Sequence, residues 1–280
     1  MLRSAALRVL DDDDRDSVLA LLDADPAANV FVAARVHAQG LDPWRLGGEM
    51  WGWTSHGRVR ALCYAGANFV PVGDDPHALQ AFADRARRQG RRCSSLVGET
   101  AAVGPLWELL EPEWGPARDV RPHQPLMVTS RPSGVTPDPL VRLVRPDELD
   151  TLLPACVAMF TEEVGVPPSA ADRGANYRAR VNELILQKRA YARIEDGRVV
   201  FKAELGAVTP YACQVQGVWV DPSLRGRGLS VAGMAAVVDL ALADAAPLVS
   251  LYVNDYNVAA IAAYRRVGFR ETGTFMSVLF

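Results

Sequence analysis

Arg225, Gly226, Arg227 and Gly228 lie between a strand-forming run, Gln216 to Val220, and a helical pattern that opens at Leu229 and Ser230. Glycines at 226 and 228 permit backbone angles and close approach denied to other residues, so successive N–H groups can converge on one oxygen. The helix that follows adds the unpaired donors of its first turn. Its pattern is set by Val231, Met234, Ala235, Val238 and Leu242, which recur at helical spacing. Arg225 and Arg227 supply fixed positive charge in a form suited to phosphate. The chemistry favoured here is the cradling of a pyrophosphate. The loop has neither the Gly-Lys-Ser/Thr ending of a nucleoside triphosphate loop nor the glycine spacing of the dinucleotide fingerprint.

Downstream come an apolar strand, Leu248 to Val253, then Asn257, then a helix carrying Tyr264 ahead of Gly268-Phe269. In order and spacing this resembles the GNAT acetyltransferase superfamily. Arg225-x-x-Gly228-x-Ser230 stands where the family has Arg/Gln-x-x-Gly-x-Gly/Ala, with Ser in place of Gly or Ala at the last position. Serine is small, and its hydroxyl can donate to a ligand or cap the helix. The resemblance covers roughly the C-terminal half. It implies an N-acetyltransferase that moves an acyl group from acetyl-CoA to a primary amine by direct attack, with no metal. It also implies that Arg225, Gly226, Arg227, Gly228, Leu229 and Ser230 hold the pyrophosphate, and that Val218, Trp219 and Val220 pair through their backbone with the pantetheine arm. Asn257 would then contact the cofactor and Tyr264 would protonate the departing CoA sulfur. The alternative for these two is a helix cap at Asn257 and a core aromatic at Tyr264.

Acyl transfer to an amine also needs the amine deprotonated. Many family members place Glu early on the strand leading into the loop; here that position is Gln214, which cannot accept a proton. All four histidines precede residue 139, so a His base or a Ser-His-Asp triad is excluded from the C-terminal half. The carboxylates near the expected cleft are Glu162, Glu163 and Glu204. Glu204 sits in an otherwise apolar strand, where a carboxylate needs a partner or a raised pKa. It is expected to act as base or amine anchor, with an ion pair to Lys202 as the alternative. Glu162 and Glu163 end a helix, an electrostatically poor place for two acids, which hints at a cationic acceptor; solvated loop charges are the alternative. Glu162, Glu163 and Gln214 are the candidate acceptor contacts.

The expected fold is α/β of mixed α+β type: two lobes, each a mostly antiparallel mixed twisted sheet flanked by helices. A splayed strand pair in the second lobe forms the CoA cleft. Leu7-Arg8-Val9-Leu10 and the helix after it reappear at Val141-Arg142-Leu143-Val144, and His56-Gly57-Arg58-Val59 reappears at Asp196-Gly197-Arg198-Val199. The first copy has Asn68 to Pro76 where the second has its Arg/Gly loop, with a proline interrupting and Asp74 and Asp75 at the phosphate position. The expected division is a degenerate N-terminal lobe at 1–128, a Pro-rich linker at 129–139 and the acetyltransferase domain at 140–280, closing with two final strands. Trp44, Trp51 and Trp53 read either as an aromatic patch or as core.

A net charge of −3 over 280 residues argues against nucleic acid as partner. The longest apolar stretch, Val231 to Val253, contains Asp239, Asp244 and Pro247, too costly for a membrane span. Asp11 to Asp14 stand where a signal peptide would be apolar, and four scattered cysteines fit reduced thiols, so a cytoplasmic protein is expected. Its partners would be a small-molecule or peptide amine, in a monomer or homodimer. A non-catalytic acyl-CoA sensor or partner-binding protein is the competing class, motivated by Gln214 and the degenerate first lobe. A first lobe that binds the acceptor or an aminoacyl-tRNA carrier is a third idea, its RNA version opposed by the acidic balance.

Overall fold

The computed structural model describes residues 6–168 and 174–280, and the chain divides into two compact units. The first comprises residues up to Met127, together with Tyr252–Tyr256 and Glu271–Phe280; the second holds Val128–Leu251 and Asn257–Arg270.

In the first unit, β1 (Ala6–Val9) leads into α1 (Arg15–Leu22), α2 (Val30–Gln39) and the short α3 (Pro43–Leu46). Then come β2 (Gly48–Ser55), β3 (Arg58–Gly66), β4 (Asn68–Val72), α4 (Pro76–Gln89), β5 (Ser95–Glu99), α5 (Thr100–Trp114) and β6 (Asp119–Thr129). Strands β1 to β4 pair antiparallel in succession, and β4 pairs parallel with β5 only at Asn68 and Phe69. Strict alternation along β3 builds two cores: Ala61 and Cys63 pack with α4 and α5, Leu62 and Tyr64 with α1 and α2. Pro71 is part of β4, opposite Cys63 and beyond the last β5 pair, where a missing N–H breaks no ladder bond to β5. Trp51 is core and Trp44 is 95% exposed, so these two do not form one aromatic patch.

The second unit repeats that plan. It runs β7 (Arg142–Leu143), α6 (Leu149–Val164), α7 (Ala175–Leu186), β8 (Ala190–Glu195), β9 (Arg198–Val208), β10 (Cys213–Val220), α8 (Leu229–Asp244), β11 (Val249–Tyr252) and α9 (Val258–Val267). Strands β7 to β10 pair antiparallel, and β10 pairs parallel with β11 only at Cys213 and Gln214. The internal similarity of the sequence is thus a repeat of topology, and both copies contain a parallel pair that parts after two residues. The segment between the copies is anchored to the second unit: Asp239 of α8 accepts from Ser133 N at 3.0 Å, and buried Asp138 takes Arg193 at 2.8 Å.

The end of the chain departs from expectation. One strand, β12 (Arg270–Leu279), replaces the two foreseen, and it pairs antiparallel with β5 from Phe275 to Leu279. Gly273 lies inside this extended run, where an added Cβ would meet only Leu126 side-chain atoms, no nearer than 3.7 Å. Residues 271–280 therefore pack with the first unit and not with the 140–280 domain. Among the described residues, no helix is long and apolar enough to cross a membrane, and no group of three or more His, Cys, Asp or Glu is placed to hold a metal.

Candidate active site

Everything the sequence singles out for chemistry after residue 139 falls within the second unit. Past Gln214, β10 separates from β11, and its backbone kinks at Gly217, whose φ is +60°. The register with β9 slips between Gln216 and Trp219, a bulge that re-aims Val218 to Val220. A side chain at Gly217 would lie 3.0 Å from Glu204 Cδ and 3.1 Å from Lys202 Nζ, so close approach and positive φ both call for glycine.

After Val220 the chain turns through Asp221, whose carboxylate accepts from Ser223 N at 2.9 Å, and enters the loop. Gly226 and Gly228 have φ of +77° and +78°, and Gly228 caps α8 without a side chain. Backbone N–H groups from Gly226 to Ser230 have no acceptor among the described residues. Helix α8 is fixed behind them because Gly233 lies against the buried Phe201 ring, where a Cβ would come within 2.8 Å. Uncapped donors, two exposed arginines and a helix N-terminus fit an acyl-CoA pyrophosphate. The corresponding position in the first unit is different. There Asp75 accepts from His77 N and Ala78 N at 2.8 and 3.3 Å, so a carboxylate already occupies the first-turn donors of α4.

Arg225 donates from Nε to Val220 O at 3.1 Å and pairs with Glu162 Oε2 at 2.7 Å; Glu162 Oε1 accepts from Trp219 Nε1 at 3.3 Å. The end of α6 is thereby tied to the Arg/Gly loop, a link between residues 63 positions apart that nothing in the local sequence announces.

Asn257 is the N-cap of α9, its Oδ1 accepting from Ala260 N at 3.2 Å, which leaves its amide N–H groups available. Tyr264, one turn from the C-terminus of α9, is 7% exposed and packs edge-on to Phe269. Its hydroxyl has no hydrogen-bond partner among the described residues. Burial, with the Glu163 charge assisting, pushes the phenol well above its usual value, so it is protonated at neutral pH.

On the other face of β9, Lys202 and Glu204 form a buried pair, Nζ to Oε2 at 3.2 Å, with Lys202 only 1% exposed. Glu204 Oε1 takes Gln216 Nε2 at 3.0 Å and lies 3.9 Å from Arg180. Burial opposes the ammonium of Lys202, yet the Glu204 carboxylate and Cys156 outweigh it and hold Lys202 above its ordinary value. The ion pair that the sequence offered as the alternative at Glu204 is therefore formed. Gln216, Arg180 and Cys156 were not foreseen; only alternation along β10, which puts Gln214 and Gln216 on one face, pointed to the first. Gln214 itself is buried opposite Ala207 and Ser250.

Residues 160–269 match the Acetyltransferase (GNAT) family, and residues 48–152 match a domain of unknown function, DUF4081. No curated protein matches the chain. Among solved structures, a GCN5-related N-acetyltransferase from Sphaerobacter thermophilus superposes with a TM-score of 0.61 at 18% identity, over 99% of this chain and 96% of that one. A GNAT-family acetyltransferase from Colwellia psychrerythraea gives 0.57 at 13%, over 98% and 99%. A tandem GNAT protein from the clavulanic acid biosynthesis pathway gives 0.55 at 16%, over 98% of each chain. At these identities the likeness is one of fold, and it spans both units. Residues 160–269 thus match the acetyltransferase (GNAT) family, within a two-lobed fold similar to that of a tandem GNAT protein.

Proposed function

We propose that the protein is an acetyl-CoA-dependent N-acetyltransferase whose working site lies in the second lobe, and that the first lobe has lost the cofactor loop. The observation that carries this reading is the loop at Gly226 to Ser230, with its unspent N–H groups at the start of α8, set beside a β10 edge that β11 has left open. Bound acetyl-CoA would supply an activated acyl carbonyl and a thiolate leaving group. Arg225, Arg227 and the loop amides hold its pyrophosphate; the backbone of Val218 to Val220 orients the pantetheine arm; Asn257 donates from its free amide.

The substrate amine attacks the acyl carbon, the C–N bond forms, the C–S bond breaks, Tyr264 Oη gives its proton to the departing sulfur, and the proton shed by the new amide nitrogen returns through water to the phenolate. A phenol without another hydrogen-bond partner among the described residues is free to donate in that step. With Lys202 on one oxygen, Gln216 on the other and Arg180 3.9 Å away, Glu204 has neither an open lone pair for a proton nor uncompensated charge for a cation. We therefore assign it to tying β9 to β10 beside the cleft, and the substrate ammonium gives its proton to water before attack. The charge of Glu163 reaches Tyr264, whereas Glu162 is already paired with Arg225, and the Glu163 charge favours a positively charged small molecule or peptide amine.

Tyr264→Phe removes one oxygen from a buried ring. Turnover is expected to fall by about 10²- to 10⁴-fold with acetyl-CoA affinity nearly unchanged. Gln214, buried where many relatives have Glu, favours a second reading, a non-catalytic acyl-CoA sensor. Acetyl-CoA binding without acetylation of any amine in a panel of polyamines, amino acids and peptides would select it.

A further inference from the structure

The first lobe has a cleft of about 920 Å³ between the β2–β3 hairpin and the start of α4, where Trp53, Ser55, His56, Arg58, Arg60 and His77 meet. Its charge arises from a local irregularity. Trp53 pairs with Ala61 and Thr54 with Val59, so Arg60 is the extra residue of a bulge, and bulges re-aim side chains. Arg58 and Arg60 are both exposed, and among the described residues neither has an ion-pair partner.

The second lobe carries the same hairpin with its charge spent. Arg193 pairs with Phe201 and Ile194 with Val199, which makes buried Val200 the bulge residue where the first lobe has Arg60. Arg198, in the place of Arg58, pairs with Asp221 at 3.0 Å, and Asp221 precedes Pro222 as Asp75 precedes Pro76. In the first lobe Asp75 also lines the cleft, but its Oδ1 is turned to the amides of His77 and Ala78. Two guanidiniums against one capping carboxylate leave the cleft positive in a chain whose net charge is −3. Ser55 Oγ lies 3.0 Å from His56 Nδ1 and so fixes that imidazole, leaving Nε2 for another partner. His56, His77 and Asp75 do not form a metal-holding group.

We propose that this cleft is a second binding site, separate from the acyl-CoA loop, for a small molecule bearing a phosphate monoester or diphosphate. Arg58 and Arg60 grip the anion, the imidazoles of His56 and His77 hydrogen-bond it, and the Trp53 indole borders the organic part. The volume suits a metabolite-sized ligand. Two free guanidiniums are too few to track a nucleic-acid backbone.

The test uses the full chain carrying Gly228→Glu, which removes the loop in the second lobe, and inorganic pyrophosphate as probe. Calorimetry and the Trp53 indole N–H resonance are followed together. One pyrophosphate per chain with a shift of the Trp53 resonance is expected, weakened about tenfold by Arg58→Ala or by Arg60→Ala and lost in the double variant. Both arginines are exposed, and an unchanged melting temperature of the double variant checks that the protein remains folded. A Trp53 resonance unmoved at millimolar pyrophosphate, or binding that survives the double variant, would overturn the proposal. So would tighter, steeply salt-dependent binding of a short oligonucleotide. Because the loop of the second lobe is already disabled, none of these outcomes depends on the acetyltransferase reading.

Discussion

Lys202 is the residue whose environment the sequence least revealed. Its partner Glu204 is two positions away, but Cys156 and Arg180, which complete the surroundings, come from helices far along the chain. Lys202→Met leaves a buried carboxylate uncompensated and is expected to cost about 3–5 kcal/mol in urea denaturation, whereas Lys202→Met/Glu204→Met recovers most of that loss. Additive losses in the double variant would show that the two side chains do not act as a pair. Glu148 gives a pH signature. The Arg142 guanidinium grips both its oxygens at 2.7 and 2.8 Å, and with the Arg145 N–H it holds the carboxyl down at about 2 against the opposing effect of burial. A carboxyl depressed in the folded state stabilises above its unfolded pKa, near 4.5, and that contribution disappears as pH falls toward 2. Acid unfolding curves should show about 1–2 kcal/mol of this dependence, discounted for partial solvation, and Glu148→Gln should flatten it. By contrast Arg225, Gly228, Asn257 and Tyr264 were legible from sequence, because a loop, a cap and a helix position are specified by residues close together in the chain.

At the scale of elements, the strands and helices of the second lobe follow their apolar periods, and Gly217 sits at the bulge where β10 kinks. Gly217→Ala forces a Cβ into the Lys202–Glu204 pair at positive φ, so thermal unfolding should reveal a loss of about 1–3 kcal/mol; an unchanged melting temperature would mean that the bulge relaxes freely. What periodicity missed has a common cause. A proline between Asn68 and Pro76 and a two-strand ending read as interruptions, yet tertiary pairing fixes Pro71 in β4 beyond the last β5 pair and keeps residues 270–279 in one extended run. The bulge at Arg60 was invisible for a related reason, since register is a property of two strands and not of one.

For the whole molecule, repetition in the sequence anticipated the repeated topology, but no local signal says that the last strand serves the first unit. Phe280 packs against Trp107 and Trp114 there, and β12 covers five residues of β5. A chain ending at Arg270 should therefore lose the near-ultraviolet circular dichroism of those tryptophans; a native spectrum would mean that the first unit stands without β12. Titration calorimetry with acetyl-CoA distinguishes a single working cofactor loop in this two-lobed chain from two such loops or none. One site per chain, abolished by Gly228→Glu, is the expected result. Two sites would contradict the loss of the loop in the first lobe, and no binding at all would reduce Gly226 to Ser230 to a structural turn.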